Sequence, residues 1–165
     1  SSPATTVPVI EYHHAAFDHY FITSLPAEIA KLDAGGIAGW SRTGYYFNAL
    51  AAGAAGTSPV CRFFSTSFSP KSSHFYSALA SECSKTRANA DWTLESGDVF
   101  DVVAPNEDAS CPEGLAPVYR LFNNGRGGAP NHRYTTDVAV RNHMIAQGWV
   151  PEGDGADGVN MCASP

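Results

Sequence analysis

The chain has 165 residues, with 10 lysines and arginines against 16 aspartates and glutamates, giving a net charge of −6. No basic cluster offsets that balance, so nucleic acid is not an expected partner: phosphate binding needs a concentrated positive face. The uncharged run from Thr43 to Cys61 is mostly small residues rather than bulky apolar ones, so no membrane insertion is expected either.

In chain order, residues 1–8 read as an N-terminal linker, opening with Ser1-Ser2-Pro3, ahead of a single domain over 9–165. Val9 to Tyr12 patterns as a short strand. After a turn at Ala15 to Asp18, the β-formers His19-Tyr20-Phe21-Ile22-Thr23 pattern as a second. Ser24 is placed to cap a helix in which Leu25, Ile29 and Leu32 share a face, and Gly35-Gly36 stops it. Trp40 starts the next strand, which continues as Tyr45-Tyr46-Phe47, and an Ala/Gly-rich connection follows.

The same order then returns. Strands at Val60 to Phe64 and His74 to Tyr76 flank a loop holding Pro70 and Lys71. A helix over about Leu79 to Ala88 carries Cys83, and strands at Trp92 to Leu94 and Val99 to Val103 close the unit. After an acidic connection containing Cys111, the pattern occurs a third time. Val118 to Phe122 and His132 to Thr136 are strands around Asn123-Asn124-Gly125, Asp137 caps a helix over Val138 to Gln147, and Trp149 opens the last strands. A histidine leading an aromatic strand, a helix-length interval and a tryptophan thus recur three times, over 9–52, 60–104 and 118–165. The expected fold is α+β and predominantly antiparallel: three β-β-α-β-β repeats packed around a pseudo-threefold axis, with a β-trefoil-like arrangement as the alternative.

Four cysteines without a C-x-x-C pair point to two disulfides in an oxidising compartment, and hence to a secreted or cell-surface protein. Of the three possible pairings, Cys61–Cys83 and Cys111–Cys162 are favoured. The first ties a strand to the helix over it, and the second pins the C-terminal tail.

The third repeat, Val118-Tyr119-Arg120-Leu121-Phe122-Asn123, then His132-Arg133-Tyr134-Thr135, then Gly148-Trp149-Val150-Pro151-Glu152-Gly153, resembles a bacterial repeat family of unknown function. That resemblance implies a protein that is secreted or cell-wall-associated, with a fused or associated extracellular enzyme as a possible partner. It carries over no catalytic residue. The first repeat departs from the pattern, with Glu11 where Arg62 and Arg120 stand and Thr43 where Glu95 and Glu152 stand.

Three sets of residues are candidates for chemistry. His19, His74 and His132 are read as structural, bridging strands through their ring nitrogens, in preference to a three-histidine zinc site; no metal and no cofactor are expected. Trp40, Trp92 and Trp149 offer faces on which sugar rings stack, although an aromatic residue at a fixed place in every repeat also suits a core. Arg62 with Glu95, and Arg120 with Glu152, pair between strands or line a polar pocket, and Asn123 and Asn124 lie in a candidate binding loop. The Gly/Asp-rich stretch from Glu152 to Asn160 fits no calcium-loop spacing and reads as a turn. No nucleophile elbow, zinc-protease helix or phosphate loop is present. The expectation is a non-catalytic extracellular module binding carbohydrate or a cell-wall or surface glycan, one shallow site per repeat, acting by avidity. The alternatives are a structural or protein-interaction domain tethering a partner enzyme or adhesin and, more distantly, a small hydrolase or metal-dependent enzyme.

Overall fold

The computed structural model describes residues 5–68 and 71–165. Residues 1–4 of the expected linker and Pro70 of the expected hairpin loop lie outside them. The first segment comprises β1 (Thr6–His14), β2 (His19–Thr23), α1 (Pro26–Asp33) and β3 (Trp40–Leu50). Thr6 to Pro8, expected in the linker, are already strand, paired with Asn48 to Leu50 of β3. The second segment comprises β4 (Ser58–Pro59), β5 (Cys61–Ser65), β6 (Ser73–Ser77), α2 (Ala80–Arg87), β7 (Thr93–Ser96) and β8 (Asp101–Val102). The third comprises β9 (Ala116–Phe122), a 3-10 turn at Arg126–Gly128, β10 (His132–Thr135), α3 (Val138–Ala146), β11 (Val150–Glu152) and β12 (Val159–Ala163).

Pairing between the strands is antiparallel throughout, in sheets ordered β2-β1-β3-β8-β4, β6-β5-β7 and β10-β9-β11, with β12 also on β9. β1, β5 and β9 each lie between a hairpin partner (β2, β6, β10) and the strand that follows the helix (β3, β7, β11). The fold is α+β and mostly antiparallel. Among the described residues none of the sheets closes into a barrel, as the trefoil-like alternative would require.

The same local chemistry turns strand into helix three times. The hydroxyls of Thr23, Ser77 and Thr135 accept the backbone N–H two residues on, at 3.1, 3.0 and 3.1 Å. In the first two segments that hydroxyl also donates to a glutamate in the first helical turn, Glu28 at 2.5 Å and Glu82 at 2.6 Å. Carboxylates are favoured there by the unpaired N–H groups of the helix start. Ser24, expected as a cap, donates instead to the Val99 carbonyl at 2.9 Å. Asp137 does cap α3, accepting from the Val140 N–H at 3.0 Å. Gly39 and Gly148 take left-handed backbone (φ 94° and 98°) immediately before Trp40 and Trp149, a turn that β-carbons disfavour.

The main core draws on all three segments: Tyr12, Phe21 and Phe47 from the first, Tyr76 and Phe100 from the second, Tyr134 and Met161 from the third. Two of the buried tyrosines satisfy their hydroxyls across segment boundaries, while Tyr12 donates to Asp33 of its own segment at 2.8 Å. Tyr76 donates to the Ile22 carbonyl at 2.5 Å, and Tyr134 to the Tyr76 carbonyl at 2.8 Å. The closing strands of the three segments, β3, β8 and β12, also meet through backbone pairing at their ends, Leu50 with Asp101, Val103 with Cys162 and Ser164 with Asn48. The two disulfides are Cys61–Cys83, joining β5 to α2, and Cys111–Cys162, joining the acidic connection to β12. These are the pairings expected from the sequence.

Candidate functional site

Strand register fixes which residues stand at the same place in each segment. Glu11 faces Ile22, Arg62 faces Tyr76 and Arg120 faces Tyr134. By the same register, His74 and His132 correspond to Tyr20, and His19 corresponds to Ser73 and Asn131. The equation of His19 with the other two histidines is therefore off by one residue. Its bonding explains the place it holds. His19 donates from Nδ1 to the Ser72 carbonyl of the next segment at 2.8 Å, Ser73 donates to the Pro130 carbonyl of the third, and Asn131 accepts from the Tyr20 N–H of the first at 2.8 Å. Among the described residues no group of three His, Cys, Asp or Glu side chains could hold a metal ion.

At the junction of the first and second segments an open cleft of about 330 Å³ brings four of the sequence candidates together: Trp40, Arg62, Glu95 and His74. Its apolar walls are Phe21, Leu32, Ile37, Trp40 and Phe64, and its polar floor is Arg62 with the side chains around it. Arg62, buried on β5, donates from Nε to Glu95 at 2.9 Å and through both terminal nitrogens to Glu28 at 2.8 and 2.7 Å. Its guanidinium also lies 5.3 Å from the centre of the Phe21 ring. His74 reaches the same Glu95 oxygen at 3.3 Å and meets Phe21 edge-on at 4.8 Å. Every Arg62 nitrogen is thus occupied, while the two glutamates are each about one-third exposed and keep lone pairs free toward the cleft. Glu28 was not read from the sequence as a site residue. Its partner is 34 positions away, and the only local signal was a glutamate in the first turn after a hydroxyl.

The remaining candidates are spread elsewhere. Arg120 pairs with Glu82 at 3.1 Å and lies 3.6 Å from Glu152, which accepts from His132 at 2.8 Å. Trp92 is half-buried and meets Phe75. Trp149 is only 4% exposed and packs with Leu121 and Met144, so its ring offers no face to a ligand. Asn123 is buried and closes its own loop, accepting from the Gly125 and Asn131 N–H groups at 3.0 Å and donating to the Ala129 carbonyl. Asn124 takes positive φ (57°) at the tip of that turn. The Gly/Asp-rich stretch is a tight turn in which Asp154 and Val159 exchange backbone hydrogen bonds of 2.8 and 3.1 Å.

The charge state of this network follows from its partners. Burial alone would raise the carboxyls of Glu28, Glu82, Glu95 and Glu152. Hydrogen bonds and charge from Arg62, Arg120, His74 and His132, with the hydroxyls of Thr23 and Ser77, outweigh it and hold all four below the usual range. Burial pushes the imidazoles of His132 and His19 down. The unfolded chain therefore takes up these two histidine protons near pH 6.5, before the folded protein does, and stability that is complete above that pH is lost as the pH falls. Asp101, pushed up to about 6 by burial and by its hydrogen bond with Asp98, works in the opposite direction below that pH. Below the ordinary glutamate value of about 4.3 the four carboxylates add a second, steeper loss. Thermal melts from pH 8 to pH 3 are expected to show both stages, with the first flattened by His132→Gln. A melting temperature constant from pH 7 to pH 5 in the wild-type protein would contradict the assignment.

Residues 2–102 match the family model of a domain of unknown function, DUF5648, and as that match spans more than half of the chain, the protein belongs to this family. Comparison with curated proteins and with solved structures found no match.

Proposed function

We propose that this member of the DUF5648 family is a non-catalytic extracellular recognition domain. In this reading three β-β-α-β-β units close about a pseudo-threefold axis, and carbohydrate of a cell wall or other surface binds in the cleft between the first two. The ring closure is supported by three series of contacts that run from each segment to the next and return to the first. They are the backbone bridges at the ends of β3, β8 and β12, the bonds of His19, Ser73 and Asn131, and the junction residues Phe21 with Arg62, Phe75 with Arg120 and Arg133 with Glu11. Two disulfides are in keeping with an oxidising, extracellular setting.

The observation that carries the carbohydrate reading is the composition of the cleft. A wall of Trp40, Phe21 and Phe64 faces two partly exposed carboxylates fixed by one buried guanidinium. Sugars present apolar ring faces and a rim of hydroxyl donors, which suit such a wall and such acceptors. A binding role fits better than hydrolysis. Glycoside cleavage needs one carboxyl kept protonated as general acid, whereas Glu28 and Glu95 share Arg62 and are both held ionised. A protein-interaction role is the second reading, favoured by Tyr45 and Tyr46, 43% and 61% exposed side by side on β3.

A glycan array with pull-downs on peptidoglycan, chitin and cellulose tests the proposal. Retention on at least one of them is expected, lost in Trp40→Ala and unchanged in Tyr46→Ala, with no reducing sugar released. Retention on none would end the carbohydrate reading.

A further inference from the structure

We propose a second ligand site at the junction of the second and third segments, built from the positions that form the Trp40 cleft; it rests on the carbohydrate reading above. Register carries Phe21, Arg62 and His74 onto Phe75, Arg120 and His132. Glu95 and Glu152 each stand three places after their tryptophan, with a bulge putting Ser96 opposite Arg62, and place in the helix carries Glu28 onto Glu82. The two sets share most of their geometry, although Arg62 Nε donates to Glu95 at 2.9 Å whereas Arg120 Nε stands 3.6 Å from Glu152, which is held instead by His132 at 2.8 Å. Arg120 lies 5.2 Å from the Phe75 ring centre, where Arg62 lies 5.3 Å from Phe21. Trp92 meets Phe75 edge-on at 6.3 Å, where Trp40 meets Phe21 at 6.0 Å, and Phe122 lies 5.1 Å from His132 as Phe64 does from His74. Exposure agrees too. Glu82 and Glu152 side chains are 32% and 33% accessible against 32% and 31% for Glu28 and Glu95, around arginines that are each 6% accessible.

The junction of the third segment with the first carries no such site. There the charges are reversed: Glu11 holds the arginine position, and Arg133 holds the place of Phe21 and Phe75, donating to Glu11 at 3.0 and 2.8 Å. Thr43 stands for Glu95 and donates to Glu11 at 2.8 Å, and Val140 stands for Glu28. The one carboxylate is buried and fully engaged, and Trp149 is covered, with Tyr20 against its edge at 5.9 Å. Two sites per chain follow, rather than one per repeat.

The chemistry of the two sites selects the ligand. Each sets two partly exposed carboxylates against one buried guanidinium whose terminal nitrogens are held by the helix glutamate, so each offers acceptors and negative charge toward solvent. They take uncharged or amine-bearing sugar units, whose hydroxyl and N–H groups donate, and disfavour uronic acids. Two such sites in one rigid domain convert weak single contacts into retention on a polymer, an avidity gain on the order of 10²–10⁴ when both engage.

Calorimetry with the tetramers of N-acetylglucosamine and of glucosamine tests the inference, with tetragalacturonate as the acidic probe. The wild-type protein is expected to bind two equivalents of at least one of the first two probes and none of the acidic one. Trp40→Ala and Trp92→Ala should each bind one equivalent, and the double variant none. Glu152→Gln, which keeps side-chain shape, should repeat the Trp92→Ala result. One equivalent in the wild-type protein, abolished by Trp40→Ala and untouched by both Trp92→Ala and Glu152→Gln, would overturn the second site while leaving the first. Binding of tetragalacturonate at equal affinity would overturn the charge preference. No heat with either sugar tetramer, together with no retention on chitin, peptidoglycan or cellulose, would overturn the second site and the carbohydrate reading together.

Discussion

Replacing Arg133 with methionine is expected to lower stability by about 3–5 kcal/mol, because it leaves Glu11 buried with its charge uncompensated. Glu11 is 2% exposed, and Arg133 supplies two of its hydrogen bonds, leaving only Thr43. Against the roughly 5–15 kcal/mol that holds an ordinary domain folded, that loss is severe, and a fall in melting temperature of about 10 °C is expected. The sharper expectation concerns repair. The other two junctions place an arginine over a phenylalanine, with a helix glutamate as its counter-charge. Converting the third junction to that pattern by Glu11→Arg, Arg133→Phe and Val140→Glu together should recover most of the loss, although Glu11→Arg alone should be worse than Arg133→Met. Urea unfolding of the set decides the matter. A triple variant no more stable than Glu11→Arg would mean that the three junctions are not interchangeable.

Removing the Cys111–Cys162 disulfide is the second large effect. The bond closes a loop of 51 positions, for which chain entropy alone predicts a contribution of about 4 kcal/mol, compared with about 3 kcal/mol for the 22 positions of Cys61–Cys83. Cys162 is fully buried on β12, beside Met161 and Ala163 of the main core, so the bond also anchors the strand that bridges to β3 and β8. Cys111→Ala with Cys162→Ala should therefore melt roughly 10 °C below the wild-type protein, and Cys61→Ala with Cys83→Ala should lose less. Reductant titrations followed by thermal melts measure both. Equal melting temperatures with and without reductant would contradict a structural role for the bonds.

The antiparallel strands and the three helices were legible because their signals are local: runs of β-formers, a hydroxyl or carboxylate at a helix start and a helix-length interval before each tryptophan. The cysteine pairing was legible from count and placement. Register was not. His19, His74 and His132 look alike as letters, but a slip of one residue along a strand moves a side chain to the opposite face, and only the pairing of β1 with β2 shows Tyr20 in the histidine position. The site was legible in part for the same reason. Arg62 and Glu95 lie on neighbouring strands of one segment, whereas Glu28 reaches Arg62 from the segment before. Arg133 had no assigned role in the His132 motif, although it holds the contact between Glu11 and the third segment, 122 positions apart. Contacts of that range leave no periodicity in the sequence.

The three tryptophans stand one at each junction and report on the central claim directly. In a nitrogen–proton correlation spectrum they give three indole N–H signals, assigned by single Trp→Phe variants. On titration with the N-acetylglucosamine or glucosamine tetramer, the signals of Trp40 and Trp92 are expected to shift and that of Trp149 to stay in place. A shift confined to Trp149, or none at any of the three at saturating sugar, would contradict the account.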